Sequence, residues 1–490
     1  MKLADLRGRH VAVWGAGVEG TAAVSLLLQH GAAASVVVVI DSARPADPST
    51  IQGVAVVDLS NDPFPPAVDV ILKSPGISPY HGGFHDVIAT NPHIQVFGGT
   101  ALWFAEAAAA PSDPLSRTIA VTGSKGKSTT SSLIAHLLSA LTDDVLLAGN
   151  VGRAPLDVLA AGLGAGDPFP GARWHVLELS SFQTSEVRNS PAVGVLTSLF
   201  PEHLDWHETA QRYFDDKVNL FRHPRRAAGQ GVASSVSSRV VANVSVPDVE
   251  ACLERAISDL QAGGDAMVEL VPYGDERGFM VAPDGSIIEG VRTFVQLAGI
   301  PLVGRHNGAN LCGALSALRC AGWEPWDRRD ALLQALSTFR PLDHRLQPVG
   351  TVDGRDVIDD SLSTAPQAAV AALAAYDDRP VGIIIGGHDR GLDYQPLADA
   401  IAKRREPIWV VGVPQSGPRI AALIASACRQ SGNTAVSVAQ VDDFDDAIPL
   451  LLTSVPVGGV LLLSPAAPSF GRFADYRERG MRFRSLLGLA

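Results

Sequence analysis

Short apolar runs recur along this chain, each followed by a glycine-rich or acidic turn and then by a segment with helical spacing. His10-Val-Ala-Val-Trp14 and Val36-Val-Val-Val-Ile40 show no polar alternation. That is the pattern of strands covered on both faces of a parallel sheet. Between them, Thr21 to His30 has a helical period and closes at Gly31. Val68–Leu72, Ile119–Val121, Trp174–Leu177 and Val193–Leu199 repeat the run-and-turn pattern, as do Val381–Ile385, Ile408–Val411 and Val460–Leu463. Strands alternating with helices predict an α/β fold. Three domains are expected: a Rossmann-like N-terminal domain (residues 1–112), a central P-loop domain with a mostly parallel sheet (113–338), and a C-terminal Rossmann-like domain (339–490). The Ala-, Pro- and Ser-rich stretch from Ala107 to Ser116 reads as the first linker. Residues 222–300 read as irregular and carry no recognisable chemistry.

In sheets of this kind ligands bind beyond the carboxyl ends of the strands, so the turns there are the candidate sites. The first is Gly15-Ala16-Gly17-Val18-Glu19-Gly20, with Asp41 and Ser42 ending the next strand. A G-x-G-x-x-G turn suits a diphosphate, either NAD or a nucleotide sugar; a turn that only packs is the alternative. Lys73-Ser74-Pro75-Gly76 is a second such turn. The third is Thr122-Gly123-Ser124-Lys125-Gly126-Lys127-Ser128-Thr129, between a strand and a helix. Helix N-termini offer unpaired N–H groups and a favourable dipole to phosphate. Lys127 suits a β/γ-phosphate, and Ser128 or Thr129 suits Mg²⁺. The loop is two residues shorter than the standard P-loop.

Further along, Glu178 ends an apolar strand, where a hard oxygen ligand for Mg²⁺ belongs. His203 follows the strand after it and could ligate metal or orient phosphate. By pattern alone Lys217 is an ordinary solvated helix lysine. Asn307 and Asn310 either cap a helix or contact a base.

Bulk properties narrow the partners. The 490 residues carry a net charge of −12, and 46% are apolar. No broad basic field exists, so neither nucleic acid nor an anionic membrane is expected. The four cysteines are scattered, without C-x-x-C, as in a reducing compartment. The charged start is no signal peptide and no apolar run is long enough to span a bilayer, so a cytoplasmic protein is expected.

Taken together, the motifs resemble those of the Mur ligase family, in family order over essentially the whole chain. They are Thr122–Ser128, Glu178-Leu-Ser-Ser181-Phe-Gln183, Glu202-His203, Tyr213-x-x-x-Lys217, Arg305-His-Asn307-x-x-Asn310, His344-Arg345, Asp360-Ser361 and Ser464-Pro-Ala-x-x-Ser469. The resemblance implies an ATP-dependent acid–amino-acid ligase of peptidoglycan precursor synthesis. It implies attack of a UDP-linked muramoyl-alanine carboxylate on ATP, then attack of an amino acid on the acyl phosphate. It also implies Mg²⁺ at two positions, held by Ser128, Glu178, His203 and a carbamylated Lys217, with Lys127, Glu178, His203 and Lys217 catalytic. ATP would meet Gly123 to Thr129, Asn307, Asn310, Arg345 and Asp360. The UDP substrate would meet Gly15 to Glu19, Asp41, Ser42, Ser74 to Gly76, Asn150, Ser181 and Gln183. Glutamate would meet Thr364, Arg390, Ser469, Phe470 and Tyr476.

Leu362 stands where D-glutamate-adding members carry Lys, and Arg390 replaces a second Lys. Lys73–Tyr80, Gly98–Glu106, Phe200–His207, Gly386–Asp393 and Leu463–Phe470 resemble the L-glutamate-adding variant instead, with UDP-N-acetylmuramoyl-L-alanine as acceptor. That variant works with a separate glutamate epimerase. A D-glutamate ligase, a folate or cyanophycin-type ligase and a non-catalytic nucleotide binder are the alternatives. A monomer is expected, with the third domain closing over ATP.

Overall fold

Three six-stranded sheets carry the chain in this computed structural model. It describes residues 1–40, 50–171, 173–224, 236–262 and 267–489. The first sheet holds β1 (His10–Trp14), β2 (Ser35–Ile40), β3 (Thr50–Ile51), β4 (Val54–Asp58), β5 (Val70–Lys73) and β6 (Gln95–Gly98), in the order β3-β4-β2-β1-β5-β6. All its pairs are parallel except β3 with β4. The chain leaves β1 toward β2 and returns on the other side of β1 as β5. The crevice between β1 and β5 is thus a topological switch point, where such sheets take ligands.

The second sheet holds β7 (Thr118–Thr122), β8 (Val145–Gly149), β9 (Trp174–Glu178), β10 (Val193–Leu196), β11 (Val236–Asn243) and β12 (Met267–Tyr273). Its order is β12-β11-β10-β7-β9-β8, with every pair parallel. Here β7 is the switch strand. Its flanking strands β9 and β10 deliver Glu178 and the Thr197–His203 segment to the same edge. β7 is buried along its whole length, which explains its unbroken Thr-Ile-Ala-Val-Thr run. A small sheet of β13 (Met280–Val281), β14 (Ser286–Glu289) and β15 (Arg292–Gln296) follows.

The third sheet holds β16 (Gln347–Val352), β17 (Arg355–Asp359), β18 (Val381–Ile385), β19 (Ile408–Gly412), β20 (Val436–Gln440) and β21 (Val460–Leu463), in the order β16-β17-β21-β18-β19-β20. Only β16 pairs antiparallel.

The chain groups into two compact units, Met1–Val295 with Ala309–Ser337, and Gln296–Gly308 with Thr338–Ala490. The first unit therefore carries two of the large sheets. They share one apolar core that includes Leu102, Trp103, Phe104, Leu115, Phe169 and Leu177. The stretch read as a linker belongs to this core. Helix Gly99–Ala109 extends into it, and Ala107 and Leu115 are fully buried. Beyond Ala109 the stretch runs through a turn and the short helical turn Pro114–Arg117 into β7, and it packs against both sheets rather than lying free. The described residues between 222 and 300 are not irregular either: β11 and β12 complete the second sheet, with helix Val249–Ala262 between them. Serines within β11 dilute its apolar run. Among the described residues no helix is long and apolar enough to cross a membrane.

Candidate active site

The loop after β7 is tied to the turn after β10. Ser124 N–H donates to the Ser198 carbonyl at 2.9 Å, and Lys125 N–H to the Ser198 hydroxyl at 2.8 Å. Thr197 Oγ1 donates to the Lys125 carbonyl at 2.5 Å. The hydroxyls of Ser124 and Tyr213 bond at 2.8 Å. Gly123 has φ +146°, and a Cβ there would stand 2.1 Å from Thr197 Oγ1, so this close approach requires glycine. Gly126 caps helix Lys127–Ser139, whose first turn buries Ser128 and Thr129. Lys127 Nζ folds inward, donating to the carbonyls of Gly123 at 2.8 Å and Ser124 at 3.0 Å. Asn310 Oδ1 accepts from Thr130 Oγ1 at 3.3 Å, which sets this residue against the same helix.

Glu178, His203 and Lys217 surround the loop. Glu178 closes β9 and is 1% exposed. Its Oε1 accepts from Asn150 Nδ2 at 3.2 Å, while buried Oε2 has no partner among the described residues. Lys217 lies on helix Ala210–Val218, which Thr209 caps by accepting from Arg212 N–H. Its side chain is buried, not solvated as the pattern alone suggested, and Nζ donates to the Gly123 carbonyl at 2.9 Å. Burial, then the neighbouring Lys127 charge, hold its pKa well below the ordinary lysine range. His203 is exposed as a residue, but desolvation of its ring, packed edge-on to Phe182 at 4.9 Å, lowers its pKa to about 4, so its imidazole is neutral at pH 7. Burial raises the Glu202 carboxyl, but Lys125, paired with it at 2.5 Å, and Lys127 outweigh that and hold it low.

The switch point of the first sheet gathers the second set of expected residues. Ser74 N–H donates to the Trp14 carbonyl at 2.8 Å and its hydroxyl to the Gly15 carbonyl at 3.3 Å, so the Gly15–Glu19 and Ser74–Gly76 turns touch. Ala16, Gly17 and Val18 are exposed. Glu19 reaches into the second sheet's territory, where Oε1 accepts from Gln183 Nε2 at 2.6 Å. Burial, against the Gln183 bond, pushes the Glu19 carboxyl up to about 7. Asp41 and Ser42 lie outside the described residues.

A linked set of side chains escaped the sequence. Ser181 Oγ bonds His207 Nε2 at 2.9 Å, His207 Nδ1 bonds Asp216 Oδ2 at 2.7 Å, and Tyr80 OH donates to Asp216 Oδ1 at 2.8 Å. This connects the Lys73–Tyr80 turn to the residue next to Lys217. Lys73, buried, pairs with Glu186 at 2.8 Å.

The remaining expected residues lie on the second unit. Asn307 Nδ2 donates to the Val303 carbonyl at 2.8 Å. Asp360 follows β17 and accepts from Leu346 N–H at 3.0 Å and Ser464 Oγ at 2.7 Å; burial pushes its pKa up to about 7. Arg345 Nε is buried without a hydrogen-bond partner among the described residues. Arg390 is exposed and lies 5.9 Å from the Phe470 ring centre, with His388 stacked edge-on at 6.1 Å. Ser469 is buried, Thr364 is half-buried, and the Tyr476 carbonyl accepts from Ser361 Oγ at 2.7 Å.

Among the described residues no three His, Cys, Asp or Glu side chains cluster as a metal cage. Of the four residues expected to hold Mg²⁺, only Glu178 and His203 are of those types. The partnerless Glu178 Oε2, the neutral His203 ring and the Ser128 hydroxyl are the donor chemistry a divalent cation takes beside phosphate. The residues present therefore fit the ion.

Comparison with known proteins places the chain. The Mur ligase middle domain matches residues 121–318, and the Mur ligase glutamate ligase domain matches residues 344–467. A UDP-N-acetylmuramoyl-L-alanine–L-glutamate ligase of Salinispora tropica is 39% identical, covering 99% of this chain and 98% of its own. One of the same name from Xanthomonas euvesicatoria is 36% identical over 100% and 97%. The MurF ligase of Thermotoga maritima, solved with ADP, shares the fold at a TM-score of 0.54 and 15% identity, covering 92% of this chain and 94% of that one.

Proposed function

Because this chain belongs to the Mur ligase family, and is thus an ATP-dependent amide-forming ligase, we propose that it adds L-glutamate to UDP-N-acetylmuramoyl-L-alanine. The observation that carries the mechanism is the cluster around the Gly123 carbonyl, where Lys127 and Lys217 meet beside Glu178 and His203. The L-glutamate reading is supported by the names of the full-length relatives and by Leu362 and Arg390 in the second unit.

Lys127 swings from the Gly123 and Ser124 carbonyls onto the β/γ-phosphates of ATP, where the amides at the start of helix Lys127–Ser139 add donors. The muramoyl-alanine carboxylate oxygen attacks the γ-phosphorus and ADP leaves, giving an acyl phosphate. The glutamate amine then attacks the acyl carbon and phosphate departs. Ser128 and Glu178, and at a second position His203, would hold Mg²⁺, which would supply positive charge beside the phosphates and the acyl carboxylate. Lys217, whose pKa burial depresses, would in its unprotonated form add to CO₂ with loss of a proton, and the carbamate oxygen would replace a cation with an anionic ligand. Asn307, Asn310, Arg345 and Asp360 contact the nucleotide. Gly15 to Glu19, Ser74 to Gly76, Asn150, Ser181 and Gln183 hold the UDP-sugar. Thr364, Arg390, Ser469, Phe470 and Tyr476 hold glutamate, with the Arg390 guanidinium on its side-chain carboxylate. The L product then calls for a separate epimerase.

The same donors would accept D-glutamate, which is the second reading. The test is phosphate release and product mass with ATP, Mg²⁺ and UDP-N-acetylmuramoyl-L-alanine, with each enantiomer separately. Turnover with D-glutamate alone replaces the L reading; turnover with neither removes the substrate assignment.

A further inference from the structure

Arg479 is one of the largest fully buried side chains of the protein, at 2% exposure, on helix Tyr476–Leu486. Its Nε donates to Ser361 Oγ at 3.1 Å and its NH2 to the Ser361 carbonyl at 2.8 Å. NH1 is buried and has no hydrogen-bond partner among the described residues. The neighbouring carboxylates are engaged elsewhere. Asp359 Oδ2 takes His344 Nδ1 and Arg484 Nε, both at 2.8 Å, while its Oδ1 accepts from Ser361 N–H. Asp360 takes Leu346 N–H and Ser464 Oγ. Burial lowers the Arg479 pKa to about 10, which leaves it cationic at neutral pH. A buried guanidinium with both NH1 donors unused is costly unless an anion completes it.

Where NH1 lies is informative. It sits against Gly387, where a Cβ would stand 3.0 Å from NH1 and 2.3 Å from the Pro468 carbonyl oxygen. Pro468 leads directly into Ser469 and Phe470, and His388 N–H ties the two loops by donating to the Pro468 carbonyl at 2.8 Å. Exposed Arg390 belongs to the same loop pair and lies by Phe470. One loop pair thus carries exposed Arg390 and packs against the buried Arg479 guanidinium.

We propose that Arg479 binds the α-carboxylate of the incoming amino acid through NH1, while Arg390 takes the second carboxylate, so that the pair selects a dicarboxylic amino acid. This deepens the ligase reading above and rests on it. The Ser361 bonds fix the guanidinium plane, which pre-orients NH1 for a charge-assisted hydrogen bond. The buried member reads the group common to all amino acids; the exposed member reads the side chain.

The test uses the full-length enzyme with glutamate and its 1-amide, which lacks only the α-carboxylate charge. Wild type should prefer glutamate over the amide, by about 10- to 100-fold for one charge-assisted contact. In Arg479→Met the KM for glutamate should rise by about the same factor and the preference should collapse, with KM for ATP and the UDP substrate unchanged. Arg479→Lys should fall between. Arg390→Ala should keep the preference over the 1-amide and lose that over glutamine. If Arg479→Met does not fold, Arg479→Lys decides: wild-type KM and preference there overturn the proposal, and a raised KM with reduced preference supports it. A wild type that turns over neither glutamate enantiomer removes the ligase reading first. A wild type that turns over glutamate, with Arg479 variants that still reject the 1-amide, removes this proposal alone.

Discussion

Lys127 and Lys217 donate to one acceptor, the Gly123 carbonyl, at 2.8 and 2.9 Å. Two ammonium groups on one oxygen repel, and the buried one yields: burial first and Lys127 second depress Lys217. A lysine whose pKa is depressed beside a phosphate loop has more of the unprotonated amine that can attack a small electrophile.

Carbamylation of Lys217 can be read directly. Lys217→Ala should lower kcat by at least about 100-fold, the scale of a lost group that positions charge in the transition state. A short-chain carboxylic acid should restore part of it by entering the vacated volume as an oxygen ligand. Wild-type activity should fall in CO₂-depleted buffer and return with bicarbonate. Normal activity of Lys217→Ala would remove the role.

Glu178 offers a separate measurement. With Oε2 partnerless and Oε1 on Asn150, Glu178→Gln removes charge at nearly constant volume. The Mg²⁺ concentration for half-maximal rate should rise about 10-fold or more and kcat should drop, while thermal stability stays the same or improves, since an unpaired buried charge has gone. An unchanged Mg²⁺ dependence would place the ion elsewhere.

The legible parts of this molecule are those where local pattern and tertiary burial coincide. β7 announces itself because both its faces are covered, and the Gly123–Thr129 loop because strand, glycine and helix follow in order. Lys217 was illegible from pattern because a lysine's fate depends on what packs over it. The chain from Tyr80 through Asp216 and His207 to Ser181 joins residues up to 136 positions apart, which no spacing encodes. The inward fold of Lys127 is equally invisible, since sequence gives a side chain's reach but not its direction in a ligand-free loop. The packing of the Ala107–Ser116 stretch was illegible because composition does not report burial, and Leu115 is fully buried.

Gly123→Ala probes the loop's geometry. A Cβ at φ +146° is strained, and at 2.1 Å from Thr197 Oγ1 it displaces the hydroxyl that binds the Lys125 carbonyl. The variant should lose roughly 1–3 kcal/mol in denaturant unfolding and bind ATP measurably more weakly, as the loop detaches from the turn after β10. Wild-type ATP affinity in a folded Gly123→Ala protein would show that this clamp does not shape the phosphate cradle.

His175 makes acid sensitivity testable away from the chemistry. It is 1% exposed on β9, with Trp103 at 5.3 Å and Phe169 at 6.1 Å, and both ring nitrogens are partnerless. Burial, aided by Arg173, pushes its pKa down to about 4 from 6.5. In the window between those values the unfolded chain binds the proton and the folded chain does not. Folding stability from this group is therefore whole above about pH 6.5 and is lost as pH falls toward 4, with a ceiling of about 3 kcal/mol. His175→Phe removes the proton linkage and both orphan nitrogens. Any overpacking by the larger ring acts equally at all pH values. His203 and His306 slope the same way, and Glu19 and Asp360 the opposite way, but all four remain in the variant and cancel in the difference. The urea stability of His175→Phe relative to wild type should be about 2 kcal/mol more favourable at pH 5 than at pH 7.5. A difference that is the same at both pH values would mean that His175 is protonated in the folded protein, and its burial would then need an acceptor that the aromatic cluster does not provide.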